Sequence, residues 1–369
     1  MSRLPFLFVL LLLAVDLSPA AAVPFCPPSD RAALLEFKAG LSEPYLGVFK
    51  TWTGDNCCQG WHGVSCDPFN GRVADISLRG ESEDPIILRA GRPGFMTGRL
   101  SPSICRLDRL SNLIIADWKN VTGEIPRCIT SLSFLRVLDL VGNRLSGQIP
   151  WDLGKLTHLT VLNFADNELT GQIPPSITNI AGLMHLDFSR NRLSGPIPQQ
   201  IGNMRMLSRL LLRRNYLSGE IPISVVNLDR LADLDLMSNL LTGSIPWQIG
   251  KMSVLSSLHL SDNHISGQIP SDILRMEGLS ILNVSRNRIA GNIPDVFGPR
   301  SYFTALDLSY NTLTGPVPRS LTSAAFIGHL DLSHNHLCGR IPQGSPFDHL
   351  EAPSFAFNDC LCGSPLHPC

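Results

Sequence analysis

The sequence has few charged and few aromatic residues, and its basic and acidic side chains nearly cancel. Charged residues make up 17% and aromatic residues 7% of the 369 positions, and the formal net charge is -1. Nucleic-acid-binding proteins usually carry concentrated positive charge, so this balance argues against such a partner. Because hydrophobic residues make up 44% of the chain, the sequence is also too apolar for an intrinsically disordered protein.

Long hydrophobic runs are missing after the N-terminus. Arg3, an apolar stretch over 4–15 and the small residues Ala20-Ala21-Ala22 are typical of a signal peptide, which we expect over 1–22. Asp16 ends the apolar run before it reaches the roughly 20 residues that a membrane span requires. We therefore expect a secreted, extracellular protein with no membrane span. The ten cysteines fit an oxidising compartment.

Between about residue 129 and residue 337 there is no cysteine, and the chain follows a 24-residue repeat. Each turn has an asparagine, and four residues later a glycine opens a G-x-[IV]-P tetrad such as Gly147-Gln148-Ile149-Pro150. The asparagines are Asn143, Asn167, Asn191, Asn215, Asn239, Asn263, Asn287, Asn311 and Asn335. A fixed period of this length predicts a solenoid, in which each turn packs on its neighbours.

The pattern inside one turn predicts a strand followed by a turn. Leu138 and Leu140 alternate, so they lie on one face of a short strand and point into the coil. Successive strands then form a parallel sheet on the concave side. An asparagine amide carries donors and an acceptor, so stacked asparagines predict a hydrogen-bonded ladder, with Lys119 at this position in the irregular first turn. The tetrad glycine predicts a positive φ, and the proline directs the chain to the convex side.

Motifs for catalysis are absent from the sequence, which contains no H-E-x-x-H, no G-x-S-x-G and no P-loop. Outward strand positions form a mostly acidic column of Asp139, Asn163, Asp187, Leu211, Asp235, His259, Asn283, Asp307 and Asp331. Paired carboxylates can hydrolyse glycosides, but a catalytic pair occupies one distinctive place, whereas this pattern recurs through the coil. Zinc is disfavoured because the cysteines do not form two C-x-x-C pairs. We predict no enzymatic activity, no metal and no cofactor.

The G-x-I-P tetrads and 24-residue turns resemble the plant class of extracellular leucine-rich-repeat proteins. The segment PSDRAALLEFK over 28–38, followed by CCQGWHGVSC over 57–66, resembles the N-terminal cap of that class. The segment CLCGSPL over 360–366 resembles the C-terminal cap of polygalacturonase-inhibiting proteins. The segments over 72–84 and 116–126 resemble a group of plant leucine-rich-repeat proteins named for DNA-damage repair and toleration.

This resemblance implies an α/β solenoid, namely a curved horseshoe with a parallel sheet on the concave side and disulfide-bonded caps. The expected divisions after the signal peptide are an N-terminal cap over 23–70, about ten turns over 71–337 and a C-terminal cap over 338–369. A bridge between the adjacent Cys57 and Cys58 would be strained, so these residues need separate partners. Of the three connectivities that four cysteines allow, the resemblance favours Cys26–Cys57 and Cys58–Cys66.

Three further disulfides are expected. At the C-terminal end we predict Cys338–Cys360 and Cys362–Cys369. Cys105 and Cys128 lie on the convex side of consecutive turns, about one coil spacing apart, which predicts a bridge between them. Two sequons, Asn120-Val121-Thr122 and Asn283-Val284-Ser285, predict N-glycosylation, and a glycan on Asn283 would occupy part of the concave surface.

The resemblance also implies a protein of the plant cell wall or apoplast that recognises another protein on its concave sheet, either a pectin-degrading hydrolase or a receptor ectodomain. The candidate contact residues are Arg190, Arg209, Leu211, Arg213, Arg214, Asp233, Asp235, Met237, His259, Asp262, Arg286 and Tyr310. Two alternatives stay open. Arg213 and Arg214 beside Tyr216 could contact acidic pectin, and the name of the similar group implies a role in DNA-damage tolerance. Near-zero net charge and the acidic strand column oppose the latter.

Overall fold

A computed structural model of the protein describes residues 25–81, 85–345 and 347–369. The signal peptide expected over 1–22 lies outside the described residues. Within them the chain winds into a succession of short segments, in which each turn runs from a concave strand through a tight bend to a second strand and then to a short helix on the convex side. The expected curved solenoid with disulfide-bonded caps is confirmed.

A twelve-stranded sheet lines the concave side. Its first two strands are antiparallel, and every later pair is parallel, with leucines such as Leu186 and Leu210 in register. The strands are Val64–Cys66, Val73–Arg79, Asn112–Ala116, Val137–Asp139, Val161–Asn163, His185–Asp187, Arg209–Leu211, Asp233–Asp235, Ser257–His259, Ile281–Asn283, Tyr302–Asp307 and Phe326–Asp331. The inward leucines are fully buried, Leu138 and Leu140 among them, so each turn seals the apolar face of its neighbour.

A second row of strands, which we call the flank sheet, was not predicted from the repeat. It follows the asparagine bend and includes the L-[ST]-G part of each turn. An eight-stranded section comprises Leu41–Ser42, Met96–Arg99, Lys119–Glu124, Arg144–Gln148, Glu168–Gly171, Arg192–Gly195, Tyr216–Glu220 and Leu240–Thr242. A five-stranded section comprises Ser266–Gly267, Arg288–Asn292, Thr312–Gly315, His336–Arg340 and Cys360–Cys362. A bridge between Ser244 and Ser266 connects the two sections.

The convex side consists mainly of 3-10 helices. They are Pro102–Arg106, Arg127–Ser131, Leu153–Lys155, Pro175–Asn179, Ile201–Asn203, Ile223–Asn227, Trp247–Lys251, Arg319–Ser323 and Phe347–His349. A further 3-10 helix, Ala352–Phe355, lies beside the last concave strand instead, where Ser354 O accepts from the N–H of Leu332 at 2.8 Å. The α-helices are Pro28–Ala39, Pro85–Ala90 and Ser271–Leu274. Tetrad prolines such as Pro222 and Pro246 directly precede the convex helices, with φ near -60°. The tetrad glycines have positive φ, for example 78° at Gly147, which confirms the expected need for glycine there.

The asparagine ladder is present and connects two adjacent turns at each rung. In Asn215, Nδ2 donates to Phe188 O of the preceding turn at 2.9 Å and to Leu212 O of its own turn at 3.1 Å. Its Oδ1 accepts from the backbone N–H of Leu193 at 3.0 Å. Because the side chain is only 6% exposed, these bonds satisfy backbone groups that water does not reach.

The first rung corrects the assignment of Lys119 to the ladder. Lys119 points away and forms an ion pair with Glu81, in which Nζ and Oε1 are 2.6 Å apart. The indole Nε1 of the fully buried Trp118 instead donates to Leu78 O at 3.0 Å. That carbonyl is in register with Ile115 O, which accepts from Asn143 in the next turn. A tryptophan thus replaces the amide where the turn is one residue longer.

The two caps cover the apolar ends of the solenoid. At the N-terminus, Phe37 and Trp52 are buried beneath the first strands, and Trp52 stacks on Trp61 with ring centroids 5.3 Å apart. The buried Asp30 accepts from the guanidinium of Arg72 at 2.9 Å and from the backbone N–H of Val73 at 3.0 Å. This ion pair connects the cap helix to the first long strand.

Candidate recognition surface

The twelve candidate contact residues do not all lie on the floor of the concave sheet. Arg209, Leu211, Asp233, Asp235 and His259 are on its strands. Arg213 and Met237 lie two residues after the ends of the strands Arg209–Leu211 and Asp233–Asp235. The other five, Arg190, Arg214, Asp262, Arg286 and Tyr310, occupy the bend before a ladder asparagine, each with φ between 52° and 58°. We call these bend positions the rim. The surface is therefore a floor bounded on one side by a row of exposed side chains.

The acidic column has a structural role. At Asp187, Oδ1 accepts from the backbone N–H of Ser189, two residues ahead, at 2.9 Å. The same bond recurs at Asp139, Asn163, Asp235, Asn283, Asp307 and Asp331. Asp and Asn side chains commonly stabilise bends in this way. The repetition of these residues is thus explained by the bend, and it is no evidence for paired catalytic acids.

Two cross-strand ion pairs occupy the central floor. The guanidinium of Arg209 is 3.3 Å from a carboxylate oxygen of Asp233, and that of Arg213 is 3.8 Å from Asp235. Ser257 also donates to Asp233 at 2.6 Å. The arginine side chains stay about half exposed, whereas that of Asp235 is only 11% exposed. The pairs hold the arginines in place while leaving their outer surfaces open to a partner.

Burial shifts the pKa values of three ionisable groups on the floor. It raises the pKa of the Asp235 carboxyl, against the effects of a hydrogen bond from Met237 and of nearby positive charge. It likewise raises the pKa of Asp139, against a hydrogen bond from Val141 and the charge of Arg79. Burial lowers the pKa of the His185 imidazole, although Asp187 favours its charged form. Ionised carboxylates at this depth therefore cost folding free energy.

Replacing Asp235 by asparagine is expected to raise the melting temperature at neutral pH. A raised folded-state pKa means that ionisation is less favourable in the folded than in the unfolded chain, so the wild type gains stability as the pH falls through that pKa. The advantage of the variant should therefore shrink in acid, which melting curves of both proteins over the acidic range will measure. A difference that does not change with pH would contradict this account.

The rim contains a continuous stack that sequence reasoning found only in part. The guanidinium of Arg286 lies 4.1 Å from the ring centroid of Tyr310, which stacks on His334 at 3.9 Å. His334 in turn stacks on Phe357 at 4.3 Å. His334 precedes the ladder residue Asn335, so the 24-residue register could have identified it. Phe357 precedes Asn358, which extends the ladder into the C-terminal cap.

Tyr216 is separated from the arginines with which it was grouped. It begins the flank-sheet strand Tyr216–Glu220, beyond the buried Asn215, whereas Arg213 faces the concave side and pairs with Asp235. Arg213 and Tyr216 thus belong to different sheets, and Arg214 lies on the bend between them. Contact of these three residues with pectin stays a prediction.

The comparisons with known proteins agree with this architecture. The leucine rich repeat N-terminal domain family matches residues 27–67, and the Leucine Rich Repeat family matches 134–156, 158–180, 182–204, 254–276 and 278–299. The chain is a plant-type leucine-rich-repeat protein. Both families describe the scaffold, and neither specifies a ligand.

Two relatives illustrate the range of leucine-rich-repeat proteins that the chain resembles. It is 55% identical over 139 residues to the DNA damage-repair/toleration protein DRT100 of Arabidopsis thaliana, and this match covers 37% of each chain. It is 33% identical over 136 residues to polygalacturonase inhibitor 1 of Oryza sativa subsp. japonica, covering 36% of each. Each match thus spans little more than a third of the relative's own length.

A solved structure extends the similarity to most of the chain. The Arabidopsis receptor kinase HAESA, in complex with the peptide hormone IDA and the co-receptor SERK1, superposes with a TM-score of 0.68. The two chains are 28% identical, and the match covers 90% of this chain and 58% of the chain in that structure. Among the described residues of this leucine-rich-repeat protein, no helix is long and apolar enough to cross a bilayer.

The cysteines of the leucine-rich-repeat protein are paired in the structure as the sequence suggested. The bonds are Cys26–Cys57, Cys58–Cys66, Cys105–Cys128, Cys338–Cys360 and Cys362–Cys369. Within 25–81, 85–345 and 347–369, the one group of side chains close enough to share a metal is Cys26, Cys57 and Cys58, whose sulfurs are in these disulfides. Both sequon asparagines use Oδ1 for hydrogen bonds, Asn120 to Arg144 and Asn283 to Ser285. Glycosylation at Nδ2 of either stays a prediction.

Proposed function

We propose that the protein is a secreted recognition scaffold whose concave face binds another protein. The observation that carries the proposal is a local departure from the repeat. Floor positions that hold serine in four later turns hold Arg213 and Met237 in the central ones, and the acidic column is interrupted by Leu211. Since the bend hydrogen bond favours Asp or Asn at that column, the exceptions have no such structural role. They coincide with the two arginine pairs of the central floor.

The physical properties of this surface suit a protein partner. Its side chains project from a hydrogen-bonded sheet, so little conformational freedom is lost on binding. Exposed arginine beside methionine is typical of interface centres, where Met and Arg are enriched. The relatives support the same class of ligand, because HAESA is in complex with a peptide hormone and a co-receptor, and another relative is an inhibitor of polygalacturonase.

The paired arginines favour a protein over a polyanion. Arg209 and Arg213 already contact Asp233 and Asp235, which offset their charge. Pectin or nucleic acid requires concentrated cationic groups for its own anionic groups. We therefore place a pectin-degrading hydrolase or a receptor ectodomain first, and regard direct binding of pectin or DNA as the weaker alternatives.

Arg209→Glu is expected to weaken binding of the partner by about tenfold, because it replaces a central cation by an anion beside Asp233. Arg192→Glu is a matched control on the flank sheet. Arg192 also pairs across strands, with Glu168. The side chains of Arg192 and Glu168 are 58% and 30% exposed, and those of Arg209 and Asp233 are 53% and 26% exposed, so the two pairs are alike. Affinities should be measured by biolayer interferometry against purified fungal polygalacturonases and plant receptor ectodomains, with reducing-sugar release as the inhibition assay. Equal losses for both variants, or no binding by the wild type to either class, would contradict the proposal.

A further inference from the structure

A groove lies between the flank sheet and the convex helices, away from the concave face. Its volume is about 830 Å³, and it crosses the turns from Gln199 to Pro294. The Ile-Pro pairs of three successive tetrads, 221–222, 245–246 and 269–270, form part of its lining. Because these pairs recur every 24 residues, the groove has a repeating, extended lining along the solenoid axis.

The polar lining of this groove is neutral or acidic. It contains the amides of Gln199, Gln248 and Gln268 and the carboxylates of Glu220 and Asp272. No Lys, Arg or His is among the described residues that line it. Two cations lie beside the groove without lining it, since Arg275 Nη1 is 3.5 Å from a carboxylate oxygen of Asp272 and Lys251 contacts the indole of Trp247. Both already have a partner at the groove, so an anionic ligand would have to compete for them. A ligand rich in hydroxyl groups, in contrast, can donate to the carboxylates and exchange both kinds of hydrogen bond with the amides.

Trp247 supplies an aromatic surface in the same groove. Its side chain is 49% exposed at the first position of the helix Trp247–Lys251, and Ile223 occupies the same position one turn earlier at 52% exposure. Nζ of Lys251 lies 4.6 Å from the centre of the indole, over one face. An exposed indole beside planar amides can pack on the apolar C–H face of a sugar ring while the ring hydroxyls bond to the amides.

We propose that this groove binds a neutral polysaccharide, namely a β-glucan chain of the plant wall. A polymer of uncharged sugar rings matches the three properties on which the site rests: an extended lining, an aromatic surface and a polar lining that includes no cationic side chain. The site is separate from the concave face, so it could anchor the scaffold to a matrix while the floor stays free. Its success or failure is independent of the protein-binding proposal, because the two surfaces share none of the residues that carry the arguments.

Trp151 offers a matched control for a test of this site. It occupies the same repeat position, is 70% exposed and has Lys155 four residues later with Nζ 5.9 Å from the ring centre, yet it does not line the groove. Binding of the folded, disulfide-bonded protein to soluble mixed-linkage β-glucan should be measured by isothermal titration calorimetry. Trp247→Ala is expected to weaken it at least about tenfold, and Trp151→Ala less than about twofold, with unchanged melting temperatures.

Two further arms make the outcome decisive. Polygalacturonic acid should bind more weakly than the β-glucan, and its binding should not depend on Trp247. Gln248→Ala with Gln268→Ala should weaken glucan binding severalfold, since both amides are removed without loss of the aromatic surface. The proposal is overturned if the wild type does not bind the glucan, if both tryptophan variants lose affinity equally, or if only polygalacturonic acid or a released high-mannose N-glycan binds.

Discussion

Asn215→Ala is expected to lower the free energy of unfolding by about 3 kcal/mol, because the amide bonds backbone groups of two adjacent turns at once. The N–H of Leu193 loses its acceptor, whereas the carbonyls of Phe188 and Leu212 each lose one donor and keep another, from Asn191 and Asn239. The orphaned N–H costs about 1–3 kcal/mol, and each of the two other lost bonds costs about 1 kcal/mol. The loss should appear in urea unfolding followed by circular dichroism.

Asn163→Ala is the control for this ladder variant. Asn163 is also an asparagine in a central turn, but it is half-buried on the concave floor, and its Oδ1 accepts one bond, from the N–H of Ala165 at 3.1 Å. Its replacement should cost about 1 kcal/mol or less. If the two variants lose similar stability, the amide ladder does not hold adjacent turns together, and the packing of the leucines alone must do so.

The ladder could be predicted from the sequence because its cause is local and repeated. One amide in each turn meets the same carbonyls, and the glycine four residues later meets the same bend, so a single turn contains the information for all of them. The same reasoning failed at Lys119, where the turn is one residue longer. The indole of Trp118 reaches the carbonyl of Leu78 there, which spacing alone does not reveal.

Features that depend on contacts between turns could not be predicted from the sequence. The flank sheet forms because successive L-[ST]-G segments come close enough to pair, and the pattern within one turn does not set that distance. The stack of Tyr310, His334 and Phe357 arises because rim side chains of adjacent turns lie face to face. The convex groove around Trp247 depends on the separation of the turns from Gln199 to Pro294.

The strand residues of the candidate surface could be placed on the floor from the sequence, since alternation determines which side chains leave it. The sequence did not distinguish the residues that stabilise the bend from those that are free of this structural role. Asp187 and Asp307 stabilise the bend, whereas Leu211 at the same column does not, and only the hydrogen bonds separate these cases. The variable positions among structurally constrained neighbours are therefore the best guide to recognition.

Removing the Cys26–Cys57 disulfide as the double alanine variant is expected to cost about 3–4 kcal/mol. The bond closes 31 residues of chain, and by chain-entropy reasoning the unfolded state gains more freedom the longer the closed loop. Both cysteines are at most 1% exposed and belong to the same buried core as Phe37 and Trp52, so their replacement by alanine also removes packing contacts there. We therefore expect the N-terminal cap of this variant to unfold locally before the central repeats do.

Cys362–Cys369 provides the comparison, because it closes only 7 residues near the C-terminus. The same relation gives about 2 kcal/mol for its removal as a double alanine variant. Urea unfolding should rank the two variants, and hydrogen exchange should localise the N-terminal effect, with faster exchange in the helix Pro28–Ala39 than in the central strands around Asn215. Equal exchange throughout the solenoid would instead mean that the N-terminal cap and the repeats unfold as one unit, so that the disulfide stabilises the whole coil rather than its end.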